Sequence, residues 1–271
     1  MRARFAALLL AVSLAAGAAP VAFVADIRGN ATIEGDGRLA FLTELSPGTR
    51  LLLGTNASAA ITYAASGAEF SVTGPGKFLV SAEEVTAEAG AKPRRRVVVV
   101  LGDPAIVARA AQAATASVRM RGIAGAPPST PSLEFPVATR IATLKPAMRW
   151  RSSPGEEYTL VLLDASGKEL WKGGRAKAEG TRPGVPLAAA TRYSWTVTAA
   201  RGMVGEAQFE TLSSEAIGRA ERSRSGARRF PDRVLHALLL QDIGAQQEAR
   251  EAWAELSRER PDLPELSALA R

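Results

Sequence analysis

Residues 29–80 read GNATIEGDGRLAFLTELSPGTRLLLGTNASAAITYAASGAEFSVTGPGKFLV, and their period decides the fold class. Ile61 and Tyr63 alternate with Thr62 and Ala64, Phe70 and Val72 with Ser71 and Thr73, and Phe78 and Val80 with Lys77 and Leu79. A period of two places one set of side chains in a core and the other toward solvent, so these are short strands. Turn residues interrupt them every ~8–12 residues, the spacing of an all-β sandwich, roll or solenoid. Pro47-Gly48 and Pro75-Gly76 each set a fixed φ before a residue that tolerates positive φ, which predicts two type II turns.

The same residues carry a resemblance. Gly29-Asn30-Ala31-Thr32-Ile33, then Leu45-Ser46-Pro47-Gly48-Thr49, Ala59-Ala60-Ile61-Thr62-Tyr63 and Ser66-Gly67-Ala68-Glu69-Phe70 before Gly74-Pro75-Gly76, resemble the FecR-type domain over residues 21–101. The resemblance implies a periplasmic, β-rich module, a roll or solenoid in outline. In the iron-transport regulators of that name it follows a cytoplasmic anti-sigma segment and one membrane span. Here a cleavable-looking leader stands in their place, so a FecR-type signalling role is the alternative and not the leading expectation.

Residues 1–18 read as a secretory signal peptide. Arg2 and Arg4 form its basic start, Phe5 to Ala16 its apolar run, and Ala16-Gly17-Ala18 its small-residue cleavage site, with the cut expected after Ala18. The chain is thus expected to be periplasmic or secreted. No later segment approaches the ~20 apolar residues needed to cross a bilayer. Cysteine is absent, which excludes disulfides, a lipid-anchored cysteine and any thiol nucleophile. The formal net charge of +7 falls to +5 without the leader, and residues 219–233 hold a net of +4 through six arginines. A basic segment of this kind suits an anionic envelope polymer or nucleic acid, and export argues against the second.

Beyond the first β region, Lys92 to Arg96 reads as a basic loop and Val97 to Leu101 as a buried closing strand. Asp103-Pro104 offers a cap and a first-turn proline for a helix over 105–117, with a strand over Val118–Met120 as the competing reading. Gly122 to Pro136, with APPSTPS at its centre, reads as a stiff polar linker. A second β domain is expected over residues 137–212, with strands at 140–144, 147–150, 158–163, 169–171, 192–199 and 206–211. Leu187, Thr191-Arg192-Tyr193-Ser194-Trp195-Thr196-Val197 and Phe209-Glu210-Thr211 resemble a fibronectin type III sandwich. That resemblance implies Trp150 packed between sheets and a Tyr193 hydroxyl returning to the backbone near Leu187. Residues 213–271 read as helical, capped at Ser213 or Ser214, reopened at Pro231, broken at Gly244 and stopped before Pro261. Ala237, Gly244, Ala249, Trp253 and Pro261 resemble one tetratricopeptide repeat; one repeat cannot bury its own core, so it must lean on the neighbouring sandwich, pair with Leu263–Leu269 or dock on another protein.

Little of this composition points to chemistry. His236 is the single histidine, so a zinc site of the usual Cys or His ligands is excluded within one chain and a Ser-His-Asp set would have to use it. It lies inside an apolar helical run, where a packing histidine is the simpler reading. No catalytic residue, cofactor or metal is assigned. Partner-binding candidates are Trp171, as a sugar- or protein-binding platform on an edge strand, and Arg222, Arg224, Arg228 and Arg229 in the basic segment. Trp253 is either the core of the helical pair or a docking anchor. The expectation is a mainly β, exported binding or scaffold protein with an envelope protein or anionic wall polymer as partner. A carbohydrate-active enzyme built on a distant carboxylate pair is the less favoured alternative.

Overall fold

Alternation over residues 22–97 resolves into ten strands: β1 (Ala22–Arg28), β2 (Ala31–Ile33), β3 (Gly37–Arg38), β4 (Glu44–Leu45), β5 (Arg50–Leu53), β6 (Ser58–Tyr63), β7 (Ala68–Thr73), β8 (Gly76–Val80), β9 (Val85–Ala89) and β10 (Arg94–Val97). They form two antiparallel five-stranded sheets, ordered β10-β7-β6-β1-β4 and β3-β2-β5-β8-β9. The computed structural model describes residues 19–98, 105–116, 132–151, 156–174, 180–200, 202 and 204–271. Val24, Ile61, Phe70 and Val72 from one sheet and Leu51, Leu53, Phe78 and Val80 from the other share one core. The predicted leader, Val118–Met120 and residues 122–131 of the linker lie outside the described residues.

Three local expectations need correcting. Gly48 has the positive φ of 92° expected of its turn, but Gly76 does not: it opens β8 after a cis Gly74-Pro75 bond. Gly76 is required for a different reason, since a Cβ there would sit 2.9 Å from the Ala89 carbonyl oxygen and the Phe78 ring. Second, the basic run is not a loop: Arg94 to Val97 pair with Ala68 to Ser71, and Val97 is 68% exposed where a buried strand was expected. Of that expected strand, residues 99–101 lie outside the described residues. Third, Ser132 to Phe135, assigned to the linker, form a strand that pairs with residues 149–151.

That strand, β11 (Ser132–Phe135), starts the second β block, followed by β12 (Thr139–Ile141), β13 (Arg149–Arg151), β14 (Tyr158–Asp164), β15 (Glu169–Gly173), β16 (Arg192–Ala199) and β17 (Val204–Thr211). β11 and β13 make a two-stranded sheet opposite β12-β17-β16-β14-β15, in which β12 runs parallel to β17. Trp150 and Trp195 meet between the sheets at 6.4 Å, and Trp195 Nε1 donates to the Pro136 carbonyl at 2.8 Å. The Ala188 backbone N–H donates to the Tyr193 hydroxyl at 2.8 Å, tying the approach to β16 back onto that strand.

The described residues also form five helices: α1 (Ile106–Ala116), α2 (Ser214–Gly226), α3 (Phe230–Asp242), α4 (Gln246–Glu259) and α5 (Pro264–Leu269). Ser213 caps α2 by accepting from Ala216 N, and Gly244 follows α3 with φ of 85°. The architecture is mainly β with a short helical C-terminal region, as the sequence predicts. The helices lean chiefly on the first β block, not on the neighbouring second one. Ile106, Val107 and Ala110 of α1, Phe230 and Val234 of α3, Trp253 of α4 and Leu266 of α5 all join its core. Phe41 touches both Phe230 and Trp253, at 6.4 and 6.5 Å between ring centres.

This packing changes the meaning of the alternation in β6. Thr62 was expected to face solvent, yet it is fully buried, because helices cover the outer face of its sheet. The register places Thr62 opposite both Phe23 and Glu69, and Glu69 opposite Arg96, on that same outer face. Two charged clamps fasten the helices there. Glu69, with no exposed side-chain surface, accepts from Arg96 at 2.8 and 2.6 Å and from Arg229, while Arg96 also meets Asp232 of α3. Arg260, at the end of α4, binds Asp26, the Ile27 carbonyl at 2.7 Å and both carboxylate oxygens of Asp262 at 2.8 Å. Its guanidinium also lies over the Phe230 ring at 5.1 Å.

Removing one partner of a buried pair strands the other in a medium that solvates it poorly. Arg260→Ala is expected to lower the unfolding free energy by about 3–5 kcal/mol, measured by urea denaturation. Arg258→Ala, at an exposed position on the same helix, is expected to stay within about 0.5 kcal/mol of the parent.

Candidate functional site

Between the second β block and the helices lies a cleft of about 420 Å³. Beside it the two bodies meet through a short apolar seam: Ala142 and Leu212 from the β block against Ile217, Ala220, Leu240, Ala245 and Ala249 from the helices. Around this thin apolar seam the joint is polar. Val137 N donates to Gln247 Oε1 at 3.2 Å, Ala142 N donates to Glu248 Oε2 at 2.7 Å, and Arg149 pairs with Glu251.

Helical spacing arranges the charges. Glu248, Glu251 and Glu255 stand at i, i+3 and i+7 on α4 and line the cleft as an acidic stripe. Lys145, Arg149 and Arg182 line it from the second β block, and Arg224 and Arg233 from α2 and α3. Among the described residues, Lys145, Arg182, Arg224, Glu221 and Glu255 have no ion partner, whereas Arg233 pairs with Glu259 outside the cleft. Arg233 Nε is buried without a hydrogen-bond partner.

His236 lines the same cleft, with its Nδ1 3.2 Å from Ser223 Oγ. Burial, reinforced by Arg224, lowers its pKa from 6.5 to about 4, leaving the ring neutral at physiological pH and a weak base. No carboxylate is hydrogen-bonded to the ring among the described residues, so the orienting acid of a nucleophilic triad is missing from this pair. Glu248 is shifted in the opposite sense. Burial raises its pKa from 4.5 to about 7; the Ala142 N–H opposes the rise, Glu251 adds to it and Arg224 opposes it. No group of three or more acidic or histidine side chains among the described residues is placed to hold a metal ion.

The residues singled out from sequence are dispersed. Arg222, Arg224 and Arg228 are exposed on α2 and the turn after it, but they do not form one patch. Arg224 faces the cleft, and Arg228 lines a separate groove against Ser58, Ser71 and Thr73 of the first β block. Arg222 has a guanidinium nitrogen 3.2 Å from the position a Cβ on Gly218 would occupy. Arg229 is spent internally on Glu69 and Asp232. Trp253 is completely buried and is no docking anchor, because it fills the space between Phe41 and the other helices. Trp171 does sit on the edge strand, but it is half-buried: its ring folds over Gly173, where a Cβ would meet Cη2 at 2.2 Å, and its Nε1 lies toward Gly184.

The sequence reading missed the acidic stripe. Its i, i+3, i+7 spacing was available, but nothing local announces that residues 142–149, about a hundred positions earlier, form the facing wall.

The two shifted groups give a signed pH dependence. Glu248 holds its proton more tightly when folded, so its stabilising contribution is present below pH 4.5 and is lost as pH rises through about 7. His236 runs the other way: its contribution is present above pH 6.5 and is lost as pH falls toward 4. The two oppose each other from 4.5 to 6.5, and above that only Glu248 acts. Glu248→Gln, which keeps the acceptor for Ala142, is therefore expected to abolish a loss of stability between about pH 6.5 and 8, measured by urea unfolding at each pH.

No family model matches the chain, and no curated protein does. Among solved structures, it is similar to the crystal structure of CopC from Methylosinus trichosporium OB3b, at 20% identity over 31% of this chain and 95% of that one. The TM-score of 0.23 is too low to assign a shared fold or ligand.

Proposed function

We propose that the chain is an exported, non-catalytic binding or scaffold protein of the bacterial envelope. The observation that carries this reading is the cleft at the joint between the second β block and the helices. Arg149 and Glu251 pair across it, Lys145, Arg182, Arg224 and Glu255 stand without an ion partner among the described residues, and its serine–histidine contact lacks an orienting acid among them. Joints between bodies are common places for ligand sites, and a polar lining fixes orientation and specificity. The leader-like residues 1–18 support export. The two-sheet block over residues 22–97 agrees with a FecR-like module, and the bond from Ala188 N to the Tyr193 hydroxyl agrees with a fibronectin type III-like sandwich. No helix among the described residues is long and apolar enough to cross a membrane.

The partner in this reading is an envelope protein or an anionic wall polymer. Arg222 and Arg228 offer it further exposed positive charge outside the cleft that Arg224 lines. Immobilised chain 19–271 is expected to capture such a partner from envelope extract, with capture reduced at least threefold by the triple change Arg222→Ala, Arg224→Ala and Arg228→Ala. It is also expected to release no sugar or peptide fragments from purified cell wall. Release of fragments that Ser223→Ala or His236→Ala abolishes would show an enzyme instead.

A further inference from the structure

The charge pattern of the cleft is more specific than a basic patch. The acidic stripe of α4 runs between two basic walls, Lys145 and Arg182 on one side and Arg224 and Arg233 on the other. A polyanion laid into it would meet Glu251 and Glu255, and like charges at such range disfavour the complex. A polycation would meet the arginines. An apolar guest would strip water from Arg224 and Glu255 without giving either a partner, which is costly for charged groups. A ligand carrying both signs satisfies all three surfaces.

We propose that this cleft binds a small zwitterion, of which a short peptide with free amino and carboxylate groups is the fitting class. The ammonium group is placed over Glu255, the member of the stripe with no ion partner among the described residues. The carboxylate is taken by Arg224, an exposed guanidinium free to make a two-pronged contact. Arg233, which lines the same cleft while pairing with Glu259, adds positive charge to that wall. The volume of about 420 Å³ falls within the range of small-molecule pockets and limits the guest to a few residues. Glu251 is held by Arg149, so it shapes the stripe without competing for the ammonium group.

This inference deepens the binding reading above and rests on it. The test is isothermal titration of the chain 19–271 with the dipeptide Ala-Ala, its amidated and its N-acetylated forms, glutarate and cadaverine. Saturable binding of the free dipeptide is expected, weakened at least tenfold by blocking either end, with neither the diacid nor the diamine binding. Arg224→Ala and Glu255→Gln are each expected to weaken the dipeptide at least tenfold. Both residues are exposed, and an unchanged urea midpoint will confirm that each variant is folded. Absence of dipeptide binding, equal binding of the singly charged forms, or indifference to both variants would overturn the proposal. If the envelope partner is still captured while the dipeptide fails, the cleft assignment falls and the binding reading stands.

Discussion

A carboxylate with no exposed surface has to be neutralised, and Glu69 makes that demand in the middle of this fold. It lies on the outer face of a sheet, where alternation puts polar side chains and where, in an isolated two-sheet block, water would solvate it. Here helices cover that face, and water is replaced by two guanidiniums, from Arg96, 27 residues on, and Arg229, 160 residues on. Arg260 and Asp26 repeat the arrangement at the far end of the helical layer. Pairs of this kind contribute less to net stability than to choosing one arrangement, because their desolvation offsets much of their attraction. The apolar contacts of Phe41, Phe230 and Trp253 supply the burial, and the ion clamps fix where on the sheet the helices sit.

How much of this was legible follows from how local each signal is. The alternation of Ile61, Phe70 and Phe78 found the strands, and Gly48, Ser213 and Gly244 marked a turn, a cap and a helix end, because each acts within a few residues. Thr62 was misread as solvent-facing because nothing near it shows that α1, α3 and α5 return to cover that sheet. Ser132 to Phe135 was hidden by the prolines on either side, whose chemistry suggests a linker. Trp253 was read correctly only as one of two options, since a tryptophan on a helix looks the same whether it meets its own chain or another. At the cleft, the acidic spacing on α4 was local and available, but its basic wall came from a distant part of the chain.

The basic segment shows how a charge count misleads when it is not followed to the contacts. Of its six arginines, Arg219 goes to Asp242, Arg229 to Glu69 and Arg233 to Glu259. Half of the arginines are therefore structural. Of the others, Arg224 lines the cleft with its acidic stripe and Arg228 a separate groove against the first β block. The resulting site is selective by alternation of sign and not by net charge, a form of recognition that screens out simple polyanions.

The shared core of the first β block draws on residues 22–114 and again on residues 230–269, with the whole second block in between. In topological terms the second block is a guest spliced into its host. A host whose two halves close on each other tolerates changes in the inserted body. Evolution could therefore exchange or reshape the guest, and with it one wall of the cleft, while leaving the host's folding unit intact.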